Sequence, residues 1–552
     1  MNPRRLARPT QRISRGVSLV EVLVALVVLS VGMLGIAAMF VESVRNSRTA
    51  LLRTQAINLV GDMADRIRAN ASARGAYDLA RGAATPAAHD CAPSRTSVGA
   101  NCTIGDLAED DLARWTESVN GALPASGGDA PLREVLYFAP AKSWRAGALQ
   151  HHGVVEGAGR SRSALVSIGC ADHAAAATVM NTRDVTCTLP MQRGVSLVEL
   201  MVALAIGSIM IIGAVTVYSN SSSTYAINES LGRLQEQGRY VISVLEPDAE
   251  LAGFYGFTNS ADTIRYVRGA DPSNVLATAA AMRQRPIPAA APVPAPGLPV
   301  SAQVCGTNFA VDVLSPVQGS NDSFALGPAR GACNPYGAGA QPNTDTLTVR
   351  RASADPTPLA VGRIQLYATR LRSRTSQQLF SDGIAPGPTD ADNRIHNLLV
   401  RAYYVDRDSV DRPGLPALRV KSLTAISGTP GFIDTEVMPG VEDLQIQFGI
   451  DTGDYDNDGV IDPGADVNND GIPETDGHAT RYVNADFAGL DRAQIVAIRV
   501  WVRVRSEQAE PGFVDGRTYR YADVEYTPNP AERGFRRILL SRTFALRNAR
   551  TL

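Results

Sequence analysis

Between Asp451 and Asp476 the chain places acidic side chains at alternating positions. Asp454, Asp456, Asp458 and Asp462 surround Gly459, and Asp466, Asn468, Asp470 and Glu474 surround Gly471. Oxygen ligands at the first, third, fifth and ninth positions of a glycine-centred turn suit Ca²⁺, with the carbonyls of Val460 and Ile472 at the seventh. Without a cation, so many carboxylates would repel one another. The twelfth position, where an EF-hand carries its bidentate glutamate, is Ala465 in the first copy and Gly477 in the second. A helix-flanked EF-hand is therefore not expected, and Asp466 or Asp476 would have to close a site. Ca²⁺ is the one cofactor this spacing anticipates.

A second chemistry lies in two glutamates set inside apolar runs. Arg15-Gly-Val-Ser-Leu-Val-Glu21 recurs letter for letter as Arg193-Gly-Val-Ser-Leu-Val-Glu199. Each copy opens a stretch with no other charge, Val17 to Val41 in the first case and Val195 to Val217 in the second. At about 1.5 Å per residue each makes a helix of about 35 Å, enough to cross a bilayer core of about 30 Å. A carboxylate in such a helix costs about 2.5–3.5 kcal/mol and so implies a partner or a function. If the chain is cut after Gly16 or Gly194, the new amine at Val17 or Val195 lies one helical turn from Glu21 or Glu199. The amine of one subunit would then neutralise the glutamate of its neighbour, which turns a desolvation cost into a docking signal. An ordinary secretory signal fits less well, because its apolar region spans only about 7–15 residues and ends at a small-residue cleavage site.

Composition removes other classes. A chain of 552 residues with a net charge of -2 is no strongly basic nucleic-acid binder, and no nucleic-acid partner is expected. Its length suggests two to four domains. Lys142 and Lys421 are the only lysines and neither follows glycine, so there is no phosphate-binding loop of the Gly-Lys-Ser/Thr type. Gly-x-Ser-x-Gly, His-Glu-x-x-His and Gly-x-Gly-x-x-Gly are also absent, and the chain is not expected to be an enzyme. The six cysteines contain no Cys-x-x-Cys, which argues against zinc. In an oxidising compartment they read as local pairs, Cys91 with Cys102, Cys170 with Cys187 and Cys305 with Cys333, although spacing leaves the connectivity open.

The elements that must carry these groups follow from periodicity. After the first apolar run, Leu51, Leu52, Ile57, Leu59, Val60, Met63 and Ile67 continue an amphipathic helix. Short strands are expected at 134–138, 164–168 and 185–189. After the second run a helix continues through Leu231 to Tyr240, and the proline-dense stretch from Pro286 to Pro299 reads as an exposed loop. Strands are then expected at 346–349, 364–368, 398–405, 441–450, 495–504, 519–526 and 538–546. Strict alternation in Ile498 to Arg505 puts its arginines on one face, expected to be solvated.

Arg-Gly-Val-Ser-Leu-Val-Glu followed by an apolar helix resembles the class III signal of type IV pilins and type II secretion pseudopilins. The resemblance implies that a prepilin peptidase cuts at Gly16/Val17 and Gly194/Val195 and methylates the new amino termini of Val17 and Val195. It also implies that Glu21 and Glu199 guide assembly. Asp62-Met-Ala-Asp-Arg-Ile-Arg-Ala-Asn70 resembles the segment after the membrane helix in PilV-type minor pilins. Leu231 to Tyr240 with Glu250-Leu-Ala-Gly-Phe-Tyr-Gly-Phe257 resembles PilW-type minor pilins, and the acidic loop resembles those of thrombospondin repeats or dockerins.

The implied fold is α+β, two pilin-like modules that each pack a long N-terminal helix on an antiparallel sheet. The expected order is a leader at 1–16, a transmembrane helix at 17–43, a PilV-like periplasmic head at 44–190 and a second short leader at 191–194. A transmembrane helix at 195–217 and a PilW-like periplasmic head at 218–552, with the acidic loop at 451–476, complete it. The implied function is type IV pilus assembly, as a priming or tip complex that supports adhesion and twitching motility. The implied partners are other minor pilins, the major pilin, the prepilin peptidase, the inner-membrane assembly platform and membrane lipid. The implied location is the inner membrane and then the pilus or cell surface. Type II secretion pseudopilins and a calcium-dependent membrane-anchored adhesin are the rival readings. Positive residues stay on the cytoplasmic side, so one continuous chain would start its second leader in the periplasm, out of reach of the peptidase. Met191 offers a separate start, and the expected functional product is two polypeptides, or else a genuine fusion with one half impaired.

Overall fold

The computed structural model describes residues 55–122 and 197–548 with interior gaps, the longest at 279–304 and 452–476, and before residue 55 only Ser30, Gly32, Gly35 and Glu42. The strands expected at 134–138, 164–168 and 185–189 lie outside the described residues, as does the pairing of Cys170 with Cys187.

Two helices form the described part of the first module. Helix α1 covers residues 55–69, a 3-10 segment follows at Ala71–Tyr77, and α2 runs from Ile104 to Ala122. Leu107, Ala108, Leu112, Trp115 and Val119 recur at helical spacing and are buried, which explains why α2 forms and which face it hides. Thr103 starts it: its Oγ1 accepts from the Asp106 amide at 3.1 Å, satisfying one of the free donors of the first turn. Trp115 donates from Nε1 to the Leu59 carbonyl at 2.8 Å and so ties α2 to α1.

Helix α3, Leu197–Glu250, has 54 residues. Leu197, Val198, Leu200, Met201, Ile211 and Ile212 are bare near its start, whereas Leu234, Val241, Leu245 and Ala249 are buried further on. Its second part therefore serves as the packing helix of a head. Among the described residues no helix is long and apolar enough to cross a membrane.

The strands form two main sheets. The larger begins with three short strands, β1 (Arg265–Val267), β2 (Val275–Thr278) and β3 (Val317–Ser320), and continues with β4 (Thr346–Ala352), β5 (Gln365–Thr369) and β6 (Gln378–Phe380). Its long members are β7 (Asn393–Asp406), β8 (Ala417–Ile426) and β9 (Thr429–Pro439). The order is β2-β1-β6-β5-β7-β4-β3, with β8 on β7 and β9 on β8, and only β1 with β6 runs parallel. Strand β7 pairs with β5 through its first residues, and with β4 and β8 through its later ones. A two-residue turn joins β8 to β9, and both of its residues, Ser427 at φ 50° and Gly428 at φ 79°, take the left-handed conformation that matches strand twist. Gly362 lies against this turn at φ +78°, where a Cβ would sit 2.3 Å from the Gly428 carbonyl carbon.

The smaller sheet is built from β10 (Val441–Asp451), β11 (Arg481–Val483), β12 (Gln494–Arg505) and β15 (Arg537–Ala545), in the order β11-β10-β12-β15. The single strand expected at 519–526 is instead a hairpin of β13 (Tyr519–Tyr521) and β14 (Val524–Tyr526), the chain turning at Ala522 with φ 48°. Leu234, Val241 and Leu245 of α3 share one core with Ile498, Val500, Val502 and Val504 of β12. Ala69, Cys91, Ala92, Cys102 and Leu107 of the first module belong to that same core. A second core lies under the larger sheet and includes Cys305 and Cys333. Both Cys91–Cys102 and Cys305–Cys333 are disulfides.

Candidate functional site

Alternation along β12 sends Ile498, Val500, Val502 and Val504 to one side and Arg499, Trp501, Arg503 and Arg505 to the other. The expectation of a solvated arginine face is corrected here. Arg499 is 1% exposed, Arg503 5% and Arg505 8%. Strand periodicity assigned the shared face correctly but said nothing of what covers it.

Arg499 is covered by the first module. Its Nη2 donates to Asp111 Oδ1 of α2 at 2.6 Å, and its guanidinium lies over the Tyr482 ring at 3.8 Å. Asp111 also accepts from Arg66 Nη1 of α1 at 3.2 Å and from the Tyr77 hydroxyl at 2.9 Å. Arg66 in turn donates from Nε to Asp62 at 3.0 Å. Against burial, which would lower it, Asp111 and then Tyr482 hold the Arg499 pKa above its ordinary value. Burial and then the Asp111 charge push the Tyr77 hydroxyl far up, so it stays a donor. The result is a closed set of buried charges in which each carboxylate meets a guanidinium, the condition under which burying ions is tolerable.

A second buried set holds Arg503. Its Nε donates to Glu442 at 2.9 Å, Arg537 Nε donates to the same carboxylate at 2.8 Å, and the Tyr521 hydroxyl bonds to Asp443. Although burial raises it, the two arginines hold the Glu442 carboxyl below its ordinary range. This set lies wholly within the second module.

Further contacts join the modules. Asp65 of α1 lies 2.8 Å from Arg542 Nε of β15, but that N–H is not aimed at the carboxylate and the two atoms make no hydrogen bond to one another. Burial accordingly pushes the Asp65 carboxyl up to about 6, outweighing the nearby Arg542 and Arg68. At the sheet edge, the Tyr482 amide donates to the Cys91 carbonyl at 2.9 Å and the Cys102 amide to the Thr480 carbonyl at 3.2 Å. The disulfide loop from 91 to 102 thus extends the edge of β11, with Gln447 Nε2 adding a bond to the Pro93 carbonyl at 3.3 Å.

The residues singled out from the sequence for processing lie elsewhere. Gly16, Val17, Glu21, Gly194 and Val195 are outside the described residues, and Glu199 belongs to the first turn of α3. Asp454, Asp456, Asp458, Asp462, Asp466, Asn468, Asp470 and Glu474 are also outside them. The frame of that acidic loop is described: Asp451 ends β10 and its Oδ2 accepts from the Gly477 amide at 2.7 Å. Among the described residues no histidine, cysteine, aspartate and glutamate side chains gather as a metal-holding group. The Asp111–Arg499 contact had no sequence signal beyond the arginine alternation, since its partners are 388 residues apart.

Comparison with known families divides the chain along the same lines. Residues 402–548 match the family Type IV Pilus-assembly protein W, PilW, and residues 38–113 match the family Type IV pilin Tt1218. Residues 11–37 and 189–215 each match the Prokaryotic N-terminal methylation motif. No curated protein and no solved structure matches the chain significantly. Asp111 falls in the Tt1218-like segment and Arg499 in the PilW segment, so the buried charge network joins two families. The chain therefore carries a type IV pilin segment followed by a PilW segment, each preceded by its own methylation motif, the order of two fused minor pilins.

Proposed function

We propose that the two modules act as a matched pair in the priming or tip complex of a type IV pilus, their heads on one side of the inner membrane. The observation that carries this is the Arg499–Asp111 network, which puts described parts of both heads into one buried core. Heads that share a core must reach the same compartment. In this reading a prepilin peptidase cuts after Gly16 and Gly194, Val17 and Val195 are methylated, and the runs 17–41 and 195–217 sit in lipid. Glu21 and Glu199 then recruit the free amine of neighbouring subunits, among them the major pilin and other minor pilins, on the assembly platform. The acidic loop binds Ca²⁺, supported by its ligand spacing and by the Asp451–Gly477 bond that holds its ends together. Adhesion and twitching follow from pilus assembly.

The test is a strain that carries Glu21→Leu together with Glu199→Leu, examined by electron microscopy alongside a deletion strain. Loss of pili in both, with secretion intact, is the expected result. Pili of normal number and length in the double variant would overturn the assembly role, and loss of secretion with normal pili would move the pair to a type II secretion system.

A further inference from the structure

We infer that the first module docks on the second without the covalent junction between them, so that the same face of β12 and edge of β11 receive it as a separate polypeptide. This deepens the paired-module reading and rests on it for the identity of the two halves. The described partners of the interface lie in α1, α2 and the disulfide loop on one side, and in β10, the start of β11, β12, β14 and β15 on the other. Three kinds of interaction act together. The Arg499–Asp111 contact supplies a buried charge with a unique mate. The Cys91–Cys102 loop adds backbone hydrogen bonds to a sheet edge, the mode by which extended segments are captured by other chains. Apolar side chains such as Leu107 and Ala69 complete a core whose other members belong to the second module.

The partner is specified by this chemistry. It must present an acid on a helix opposite Arg499 and a cross-linked loop at the β11 edge, and the first module does both. Each half also carries its own methylation motif, and Met191 precedes the second, so a cut or a separate start at the junction leaves a motif on either half. Docking of heads would then set which two subunits enter the fibre side by side.

The experiment uses the full chain in detergent with a C-terminal tag and a site-specific protease site inserted between Pro190 and Met191. After cleavage the N-terminal fragment is expected to stay on the tag resin at one copy per tagged fragment. Arg499→Met removes the charge mate. Gly61→Phe is the second variant, because Gly61 lies on α1 and a Cβ there meets only the Arg542 guanidinium, Nη1 at 2.5 Å. It therefore forces the Arg542 guanidinium of β15 off the α1 face. Both variants should lower the retained fraction at least tenfold, and Cys91→Ser with Cys102→Ser should lower it as well. Release of the wild-type fragment would overturn the inference. So would equal retention in Gly61→Phe and wild type, which would mean that apolar segments sharing a micelle hold the halves together. Neither outcome bears on pilus formation, so the paired-module reading stands or falls separately.

Discussion

Asp248 sets the most demanding prediction for the second head. It lies in the last turn of α3 and is 1% exposed. Its Oδ1 accepts from Arg351 Nε at 2.9 Å and Nη2 at 2.8 Å, and its Oδ2 accepts from Arg401 Nη1 at 2.9 Å and the Tyr403 hydroxyl at 2.6 Å. One carboxylate thus fastens the helix to β4 and β7 of the larger sheet. Asp248→Ala would leave the buried Arg351 charge and the Tyr403 hydroxyl without that acceptor. Breaking a buried pair by removing one partner costs about 3–5 kcal/mol. The Arg401 side chain is 37% exposed, so its share is screened and amounts to about 0.5 kcal/mol. Asp248→Ala should therefore destabilise the head by about 3–5 kcal/mol and Arg401→Ala by under about 1 kcal/mol. The assay is urea unfolding of the full chain in detergent, followed by tryptophan fluorescence and by far-UV circular dichroism. A loss under about 1 kcal/mol for Asp248→Ala, or equal losses for the two variants, would refute the ranking by burial. Replacing Asp248 and Arg351 together by leucine and methionine should recover the part of the loss due to the buried Arg351 charge, while the Tyr403 hydroxyl and the half-exposed Arg401 still lose their acceptor.

Other consequences can be checked independently. Removing the Cys305–Cys333 disulfide, which spans 28 residues, should lower stability by about 3.5 kcal/mol through the freed chain entropy, read as a lower urea midpoint in Cys305→Ala with Cys333→Ala. The Asp65 carboxyl, at about 6 when folded against 3.8 ordinarily, binds its proton more tightly in the folded protein. Its contribution is therefore greatest below about pH 4 and is lost as pH rises through about 6, at most about 3 kcal/mol, and Asp65→Asn should flatten that slope in melts between about pH 4 and 7. Gly362→Ala should cost more than about 2 kcal/mol, since its Cβ would meet the Gly428 backbone and its φ is +78°, and a normal melt would contradict that close approach. Calcium titration of the full chain in detergent should release heat and raise the melting temperature, and Asp456→Asn combined with Asp470→Asn should abolish both; no change at millimolar Ca²⁺ would exclude the site.

Several features were legible because their causes are local. Arg-Gly-Val-Ser-Leu-Val-Glu repeats as a string of residues, and the family matches at 11–37 and 189–215 fall on its two copies. The strands β4, β5, β7, β10, β12 and β15 fall where alternation and β-branched residues placed them, because the pleat imposes a two-residue period on neighbouring positions, even in β4, β5 and β10, which are buried on both faces. Other features depended on groups far apart along the chain. Helix α2, absent from the sequence expectations, is not one of them, since Leu107, Leu112, Trp115 and Val119 give it a helical period of its own. The strands β8 and β9 were missed too, as Arg419, Lys421, Asp434 and Glu436 interrupt their apolar pattern; those charges pair across the two strands, with Arg419 Nε to Asp434 at 2.8 Å.

Arg499 shows the division most clearly. Periodicity placed it on the same face as Arg503 and Arg505, and a charged face reads as solvated when only near neighbours are considered. Its burial was decided by Asp111, Arg66 and Tyr77, brought there by folding from the other module. Local pattern dictates which way a side chain points, because strand and helix geometry repeat over a few residues. Whether water or a counter-charge meets it there depends on tertiary contacts, whose energies involve pairs that no local period relates.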